Sequence, residues 1–198
     1  MGKRFFDVVS ASCGVLLLTP LLLLIAFAVR LDSSGPAIFR QTRVGRHGRA
    51  FELFKFRSMR STSESVGPLI TSKGDVRITR VGALLRATKL DELPQLWNVM
   101  RGDMSLVGPR PEVPRYVALY PANMRDLVLS VRPGITDQAA IEFRNESELL
   151  AAAADPEVYY VTQILPRKLE LYAQYAQRHS VVGDIRIILR TILHIANS

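Results

Sequence analysis

Asp91 and Glu92 are the only adjacent acids in the 198-residue chain, and they stand among Arg77, Arg80, Arg86, Lys89, Arg101, Arg110 and Arg115. Carboxylates ringed by cations are the parts of a phosphoryl-transfer site. A carboxylate can hold Mg²⁺ or attack phosphorus, and the cations can hold the negative oxygens of the substrate. The simpler alternative is that two acids in the first turn of a helix only complement its dipole. Consecutive helical residues point about 100° apart, so the two acids cannot serve one atom symmetrically. Different roles follow, with one acid binding metal or attacking and the other positioning a group or moving a proton.

Several elements must position this pair. Thr88 opens a Thr-x-x-Asp capping box, and Pro94 is tolerated only near a helix start, so the acids are expected at a helix N-terminus. Pro109 and Pro111 restrict the backbone around Arg110, which presents its guanidinium to an anion with less entropy lost. Arg132-Pro133-Gly134 is a second turn with a leading cation, and Phe143 between Glu142 and Arg144 offers a ring for a base to stack on or for the core. Residues 37–44 and 50–59 alternate around Gly45-Arg46-His47-Gly48 and predict a β-hairpin. The stretch from Gly67-Pro68 to Gly74 reads as a loop without the spacing of a Walker loop, which excludes a P-loop NTPase. Short helices are expected around Val81, Leu84 and Leu85 and around residues 151–154. A longer one over 166–177 turns Leu169, Tyr172, Ala173 and Ala176 to the core.

Composition bounds the rest. A length of 198 residues with 48% hydrophobic content builds one compact domain plus a membrane element. The net charge of +8 and a pI near 10.1 call for an anionic partner. Cys13 stands alone, and His47, His179 and His194 match no ligand spacing, so carboxylates and phosphates are the expected ligands of any metal.

Residues 8–29 carry no charge and as a helix are long enough to cross a hydrocarbon core of roughly 30 Å. A cleaved signal peptide is disfavoured by the length of the run and the lack of a small-residue cleavage site before Arg30. Pro20 sits mid-run and is expected to kink or break the helix, with Thr19 or Ser12 re-satisfying a freed carbonyl. Lys3 and Arg4 precede the run, while Arg30, Arg40, Arg43, Arg46 and Arg49 follow it, so both ends are drawn to the cytoplasm. That pattern predicts a re-entrant helix broken at Thr19-Pro20, with a plain bitopic anchor as the alternative. At the other end Val181, Ile185, Ile188, Leu189 and Ile192 share a face opposite Arg186, Arg190, His194 and Asn197, the pattern of an interfacial amphipathic helix.

Five blocks occur in order: Ala37-Ile38-Phe39 with Gln41, Lys55-Phe56-Arg57-Ser58-Met59, Leu90-Asp91-Glu92-Leu93-Pro94-Gln95-Leu96-Trp97-Asn98-Val99, residues 102–111, and Arg132-Pro133-Gly134-Ile135-Thr136. Together they closely resemble the bacterial sugar transferase family, the monotopic phosphoglycosyl transferases, in its minimal catalytic form. The resemblance implies a mostly α fold with a small β-hairpin (α+β), a re-entrant membrane helix over 1–32 and one cytosolic transferase unit over 33–198. It implies Asp91 as a nucleophile assisted by Mg²⁺, with Asp91 the metal ligand and Glu92 a second catalytic residue. The reaction implied passes a sugar-1-phosphate from a UDP-sugar to polyprenyl phosphate, releases UMP and runs through a covalent phosphosugar on Asp91. Lys55, Arg86, Gln95, Arg110, Pro111 and Arg144 become the substrate-binding candidates. The place implied is the cytoplasmic face of the bacterial inner membrane, with membrane lipid but no nucleic acid as partner; homo-oligomerisation is left open.

Two departures stand out. Many relatives carry Gly-Trp-Ala-Gln where this chain has Asp137-Gln138-Ala139-Ala140, and an aspartate near the position of Tyr172, here with Glu170 close by. The competing function is a non-catalytic, membrane-tethered basic module that binds acidic lipid or nucleic acid, which leaves the acid pair idle. A transferase with another acceptor is a third reading. Neither the sugar nor the pathway is encoded legibly.

Overall fold

The computed structural model describes residues 2–60 and 75–196, so the expected loop at 67–74 lies outside the described residues. The apolar run forms α1 (Gly2–Asp32), longer at both ends than the uncharged stretch. By length and composition it can cross a membrane. Asp7, Ala11, Ile25 and Val29 are buried against the rest of the protein, while Phe5, Leu16, Leu17, Leu23, Leu24, Phe27 and Leu31 are exposed. Pro20 lies inside this one helical element, and no interruption separates residues before it from those after, which corrects the expected break at Thr19-Pro20. Proline removes a single helical donor, the one that would reach the Leu16 carbonyl, while the Thr19 hydroxyl donates to the neighbouring Val15 carbonyl at 2.7 Å.

Both ends of α1 are fastened to the same body. At its start Lys3 donates to Asp184 and to the Val107 carbonyl, and Asp7 accepts from the Ser105 hydroxyl and the Leu106 amide. Near its end Ile25 and Val29 pack with Phe56 and Leu85. Asp32 accepts from the Val81 amide, and Arg57 donates to the Val29 and Ser33 carbonyls.

The hairpin forms as the alternation predicts. Strands β1 (Ile38–Val44) and β2 (Ala50–Phe56) pair antiparallel from Ile38↔Phe56 to Val44↔Ala50, around a turn with His47 and Gly48 at positive φ. Helix α2 (Arg80–Ala87) is capped by the Thr79 side chain, which accepts from the Gly82 amide. Thr88 does not cap the following segment: its hydroxyl turns back to the Leu84 carbonyl and closes α2. The chain restarts through Lys89 in the left-handed region, a 3-10 turn over Leu90–Glu92, and α3 (Gln95–Arg101) with Pro94 at its N-cap.

A second sheet was not legible in the sequence. Strands β3 (Ser105–Val107) and β4 (Gly134–Thr136) pair in parallel, separated in the chain by α4 (Pro114–Val117) and α5 (Ala122–Val128). Then follow α6 (Gln138–Glu142), α7 (Glu146–Ala152), α8 (Pro156–Tyr159), a π turn over Tyr160–Ile164, α9 (Leu165–Arg178) and α10 (Val181–Ala196). Leu169 and Tyr172 of α9 are buried in the largest core cluster, as the periodicity predicts. The amphipathic α10 leaves Val182, Ile185, Leu189, Ile192 and Leu193 exposed. The expected helix at 151–154 is centred earlier, on α7, because Asp155 takes the N-cap of α8.

The two short strands meet where backbone touches backbone. A Cβ built on Gly134 would lie 2.1 Å from the Gly108 nitrogen, so only glycine permits the approach that carries the chain into Pro109 and Arg110. Gly134→Ala is therefore expected to destabilise the fold by about 2–3 kcal/mol, the range of severe steric substitutions, read as a fall in denaturation midpoint.

Candidate active site

The acid pair is positioned by three elements that reach it from different parts of the chain. The 3-10 turn over Leu90–Glu92 places successive side chains about 120° apart, so Asp91 and Glu92 diverge. Lys55 comes from β2, whose free edge is held by α3: the Asn98 side chain accepts from the Phe54 amide at 3.0 Å and donates to the Glu52 carbonyl at 2.7 Å. Arg110 comes from the segment after β3. There the Gly108 amide donates to Thr136, the Gly134 amide to Pro109, and the Arg43 guanidinium to the Pro111 carbonyl.

Glu92 lies between the two cations. Its Oε1 accepts from Lys55 Nζ at 2.9 Å and from Arg110 Nη2 at 2.6 Å. Burial on its own would raise the pKa of Glu92, but Arg110 and Lys55 outweigh it and hold the carboxyl well below the usual range. The same pairing holds the Arg110 guanidinium firmly protonated, while burial and the adjacent Arg110 lower the pKa of Lys55 against the pull of Glu92.

Asp91 is the opposite case. It is 6% exposed, yet no hydrogen bond or ion pair reaches its carboxylate among the described residues. Burial pushes its pKa up, opposed by Lys55 and, more weakly, by Arg86 and Lys89, while Glu92 adds to the rise. The two adjacent acids thus hold different states: Glu92 is a neutralised anchor, and Asp91 is a desolvated carboxylate with its lone pairs free to meet an electrophile or a cation.

Of the residues named from sequence, the structure gathers Asp91, Glu92, Lys55, Gln95, Arg110 and Pro111. A recess beside the pair is lined by Arg43, Leu53, Lys55, Gln95, Arg110 and Pro111. Arg86, in the last turn of α2, acts on Asp91 by charge. Arg144 is not brought in: it is exposed on the link between α6 and α7 and its guanidinium donates to Asn145.

Three residues escaped the sequence reading. Arg43, noted only as a basic flank, donates to Gln41 and Pro111 and lies 3.6 Å from Glu112. Glu112 accepts from the Tyr160 hydroxyl at 2.7 Å and through its carbonyl from the Val44 amide, clamping the residue next to Pro111. Asp137, known only as a departure from the family pattern, caps α6 through the Ala140 amide and leaves its other oxygen buried without a hydrogen bond. Its position as N-cap, two residues before a short apolar run, was the available signal.

The chain matches the bacterial sugar transferase family over residues 1–198. It is 39% identical to the UDP-glucose:undecaprenyl-phosphate glucose-1-phosphate transferase of Caulobacter vibrioides, over 97% of this chain and 68% of that protein. It is 38% identical to the UDP-N-acetylgalactosamine-undecaprenyl-phosphate N-acetylgalactosaminephosphotransferase of Aeromonas hydrophila, over 96% of this chain and 42% of that protein. It is also 38% identical to the exopolysaccharide production protein PSS of Rhizobium leguminosarum bv. phaseoli, over 96% of this chain and 93% of that protein.

Burial, against the pull of the Ala140 amide, Arg110 and Lys168, pushes the Asp137 carboxyl up to about 6. A raised folded-state pKa makes its contribution to stability fully present below the unfolded pKa of about 4 and lost as pH rises through the folded value. Asp137→Asn keeps the capping oxygen and cannot ionise. The melting temperature of the variant is expected to gain on the wild type as pH rises from about 4 to about 7, with a flat difference counting against the buried carboxylate.

Proposed function

Because the chain belongs to the bacterial sugar transferase family, we propose that it transfers a sugar-1-phosphate from a UDP-sugar to a polyprenyl phosphate and releases UMP. The observation that carries this reading is the division between the acids: Glu92 is tied to two cations while Asp91 is buried with no partner among the described residues. The non-catalytic alternative has no use for such a division.

In the first step an Asp91 oxygen attacks the phosphorus attached to the sugar. The bond from that phosphorus to the UMP oxygen breaks, and UMP leaves with the electron pair. In the second step an oxygen of polyprenyl phosphate attacks the same phosphorus, Asp91 departs as carboxylate, and a polyprenyl diphosphosugar forms. A covalent intermediate lets a water-soluble donor and a lipid-held acceptor use the site in turn. Arg110, held between two prolines, and Lys55 present positive charge to the phosphate oxygens, where charge builds in the transition state. Arg86 and Lys89 favour the ionised form of Asp91 that attacks.

Mg²⁺ fits this donor set. Phosphoryl-transfer sites hold it by one or two carboxylates, with substrate phosphates and water completing the octahedron. Asp91 offers such a carboxylate, and among the described residues there is no group of three or more His, Cys, Asp or Glu to form an all-protein cage. Bound there, the ion would supply charge neutralisation at the diphosphate.

We also propose that α1 is embedded from the cytoplasmic face of the inner membrane without crossing it. Its apolar side is exposed, yet Lys3 and Asp7 at one end and Val29 and Asp32 at the other are bonded to one body. A straight span would place those ends on opposite sides of the bilayer. The exposed apolar side of α10 supports the same seat at the interface.

The test uses a panel of UDP-sugars labelled in the sugar-linked phosphate. Wild type is expected to release UMP and to retain label after acid quenching, whereas Asp91→Asn does neither. Glu92→Gln is expected to retain a trace of label with turnover lowered about 10²–10³-fold, since it loosens Lys55 and Arg110 without removing the nucleophile. UMP release by Asp91→Asn at the wild-type rate would sink the covalent mechanism.

A further inference from the structure

Three arginines gather near the start of α1 with no carboxylate within ion-pair distance among the described residues. Arg4 donates to the Val99 carbonyl at 2.6 Å and the Met100 carbonyl at 3.1 Å, at the end of α3. Arg132 donates through Nε to the carbonyl of Gly102, just past that helix end, at 2.9 Å. Gly102 has a φ of 96°, and a Cβ built on it would lie 3.3 Å from Arg4 Nη2, so the two guanidiniums flank one glycine. Arg46 donates to the Ser130 carbonyl, two residues before Arg132.

Carbonyls at a helix C-terminus attract cations, but they neutralise only a fraction of a charge. No carboxylate among the described residues stands within ion-pair distance of Arg4, Arg46 or Arg132. Asp7, the acid on the same helix as Arg4, is occupied by Ser105, Leu106 and Lys3, and Asp103 by Arg101 and Asn98. Partial burial, with the nearby Arg4 and Arg46, lowers the pKa of Arg132, and Asp7 offsets this only in part. Forks that keep donors free after anchoring to carbonyls are preorganised for a tetrahedral oxyanion.

The place of the cluster chooses the anion. Arg4 is followed at once by Phe5, 74% exposed, at the head of the apolar side of α1, so the guanidinium sits where hydrocarbon gives way to headgroups. We propose that Arg4, Arg132 and Arg46 form a binding site for the phosphate of an anionic glycerophospholipid, beside Gly102. This rests on the reading of α1 as membrane-embedded. The site is separate from the recess lined by Lys55, Gln95 and Arg110, and a bound headgroup would fix the height of α3 and hence of the acid pair above the bilayer.

The test titrates the detergent-solubilised full chain with dihexanoyl phosphatidylglycerol, dihexanoyl phosphatidylcholine or inorganic phosphate, and follows the melting temperature and the lipid retained in native mass spectrometry. Saturable binding of one phosphatidylglycerol is expected. Arg132→Gln and Arg4→Gln should each weaken it about tenfold, and Arg132→Lys, which keeps charge but loses the fork, by less. Arg46→Gln gives a smaller loss and removes a side chain at the exposed margin, so it reports even if the other variants fold poorly. Equal affinity for phosphatidylcholine, binding of inorganic phosphate as tight as that of the lipid, or insensitivity to all three glutamine variants would each overturn the assignment. No sugar nucleotide is present, so the result is independent of the transfer reaction, and Asp91→Asn should bind the lipid as wild type does.

Discussion

A buried anion with two cations on it organises this protein. Glu92 takes Lys55 from β2 and Arg110 from the segment after β3, and so joins the hairpin, the 3-10 turn and the proline-restrained loop at a single carboxylate. Such a triad is expensive to desolvate, and in an ordinary core apolar packing would serve as well or better. Its value lies in geometry. Pairing Glu92 with both cations leaves its neighbour as the unpaired carboxylate, with Lys55 still acting on it by charge.

The supports of the triad are backbone contacts rather than bulk packing. Asn98 holds the edge of β2, Gly108 and Gly134 bring β3 and β4 together, and Arg43 with Glu112 fixes Pro111 from behind. Each support directs a polar atom, and directional bonds define a position more sharply than dispersion does. The core formed by Val113, Tyr116, Tyr160, Leu169 and Tyr172 lies beneath this layer and gives it a rigid floor.

Helix α1 serves two environments at once. One side carries the apolar surface that seeks lipid, and the other bears Asp7, Ala11, Ile25 and Val29 packed on the protein. The pair Lys3 and Asp184 ties its start to α10, with Tyr175 and Val107 in the same network, so both elements with exposed apolar faces bear on β3. The elements with exposed apolar faces and the loop that carries Arg110 therefore share a strand only two residues from Pro109.

Local pattern determined what local pattern can. Alternation around Gly45 and Gly48 specified the hairpin, and the 3.6-residue period specified α9 and α10. The uncharged run specified α1, and Asp91, Glu92 and Arg110 amid cations, with the family blocks around them, singled out a candidate site. Thr88 and Pro20 show the limit, because a hydroxyl can bond forward or back and a proline costs only one donor, and sequence cannot tell which neighbour is present. The parallel pairing of β3 with β4 and the placing of Arg43 and Glu112 depend on contacts between residues far apart in the chain. Above all, two adjacent acids of the same chemistry acquired opposite states only when folding brought Lys55 and Arg110 to one of them, since Coulomb attraction and desolvation act through space and not along the sequence.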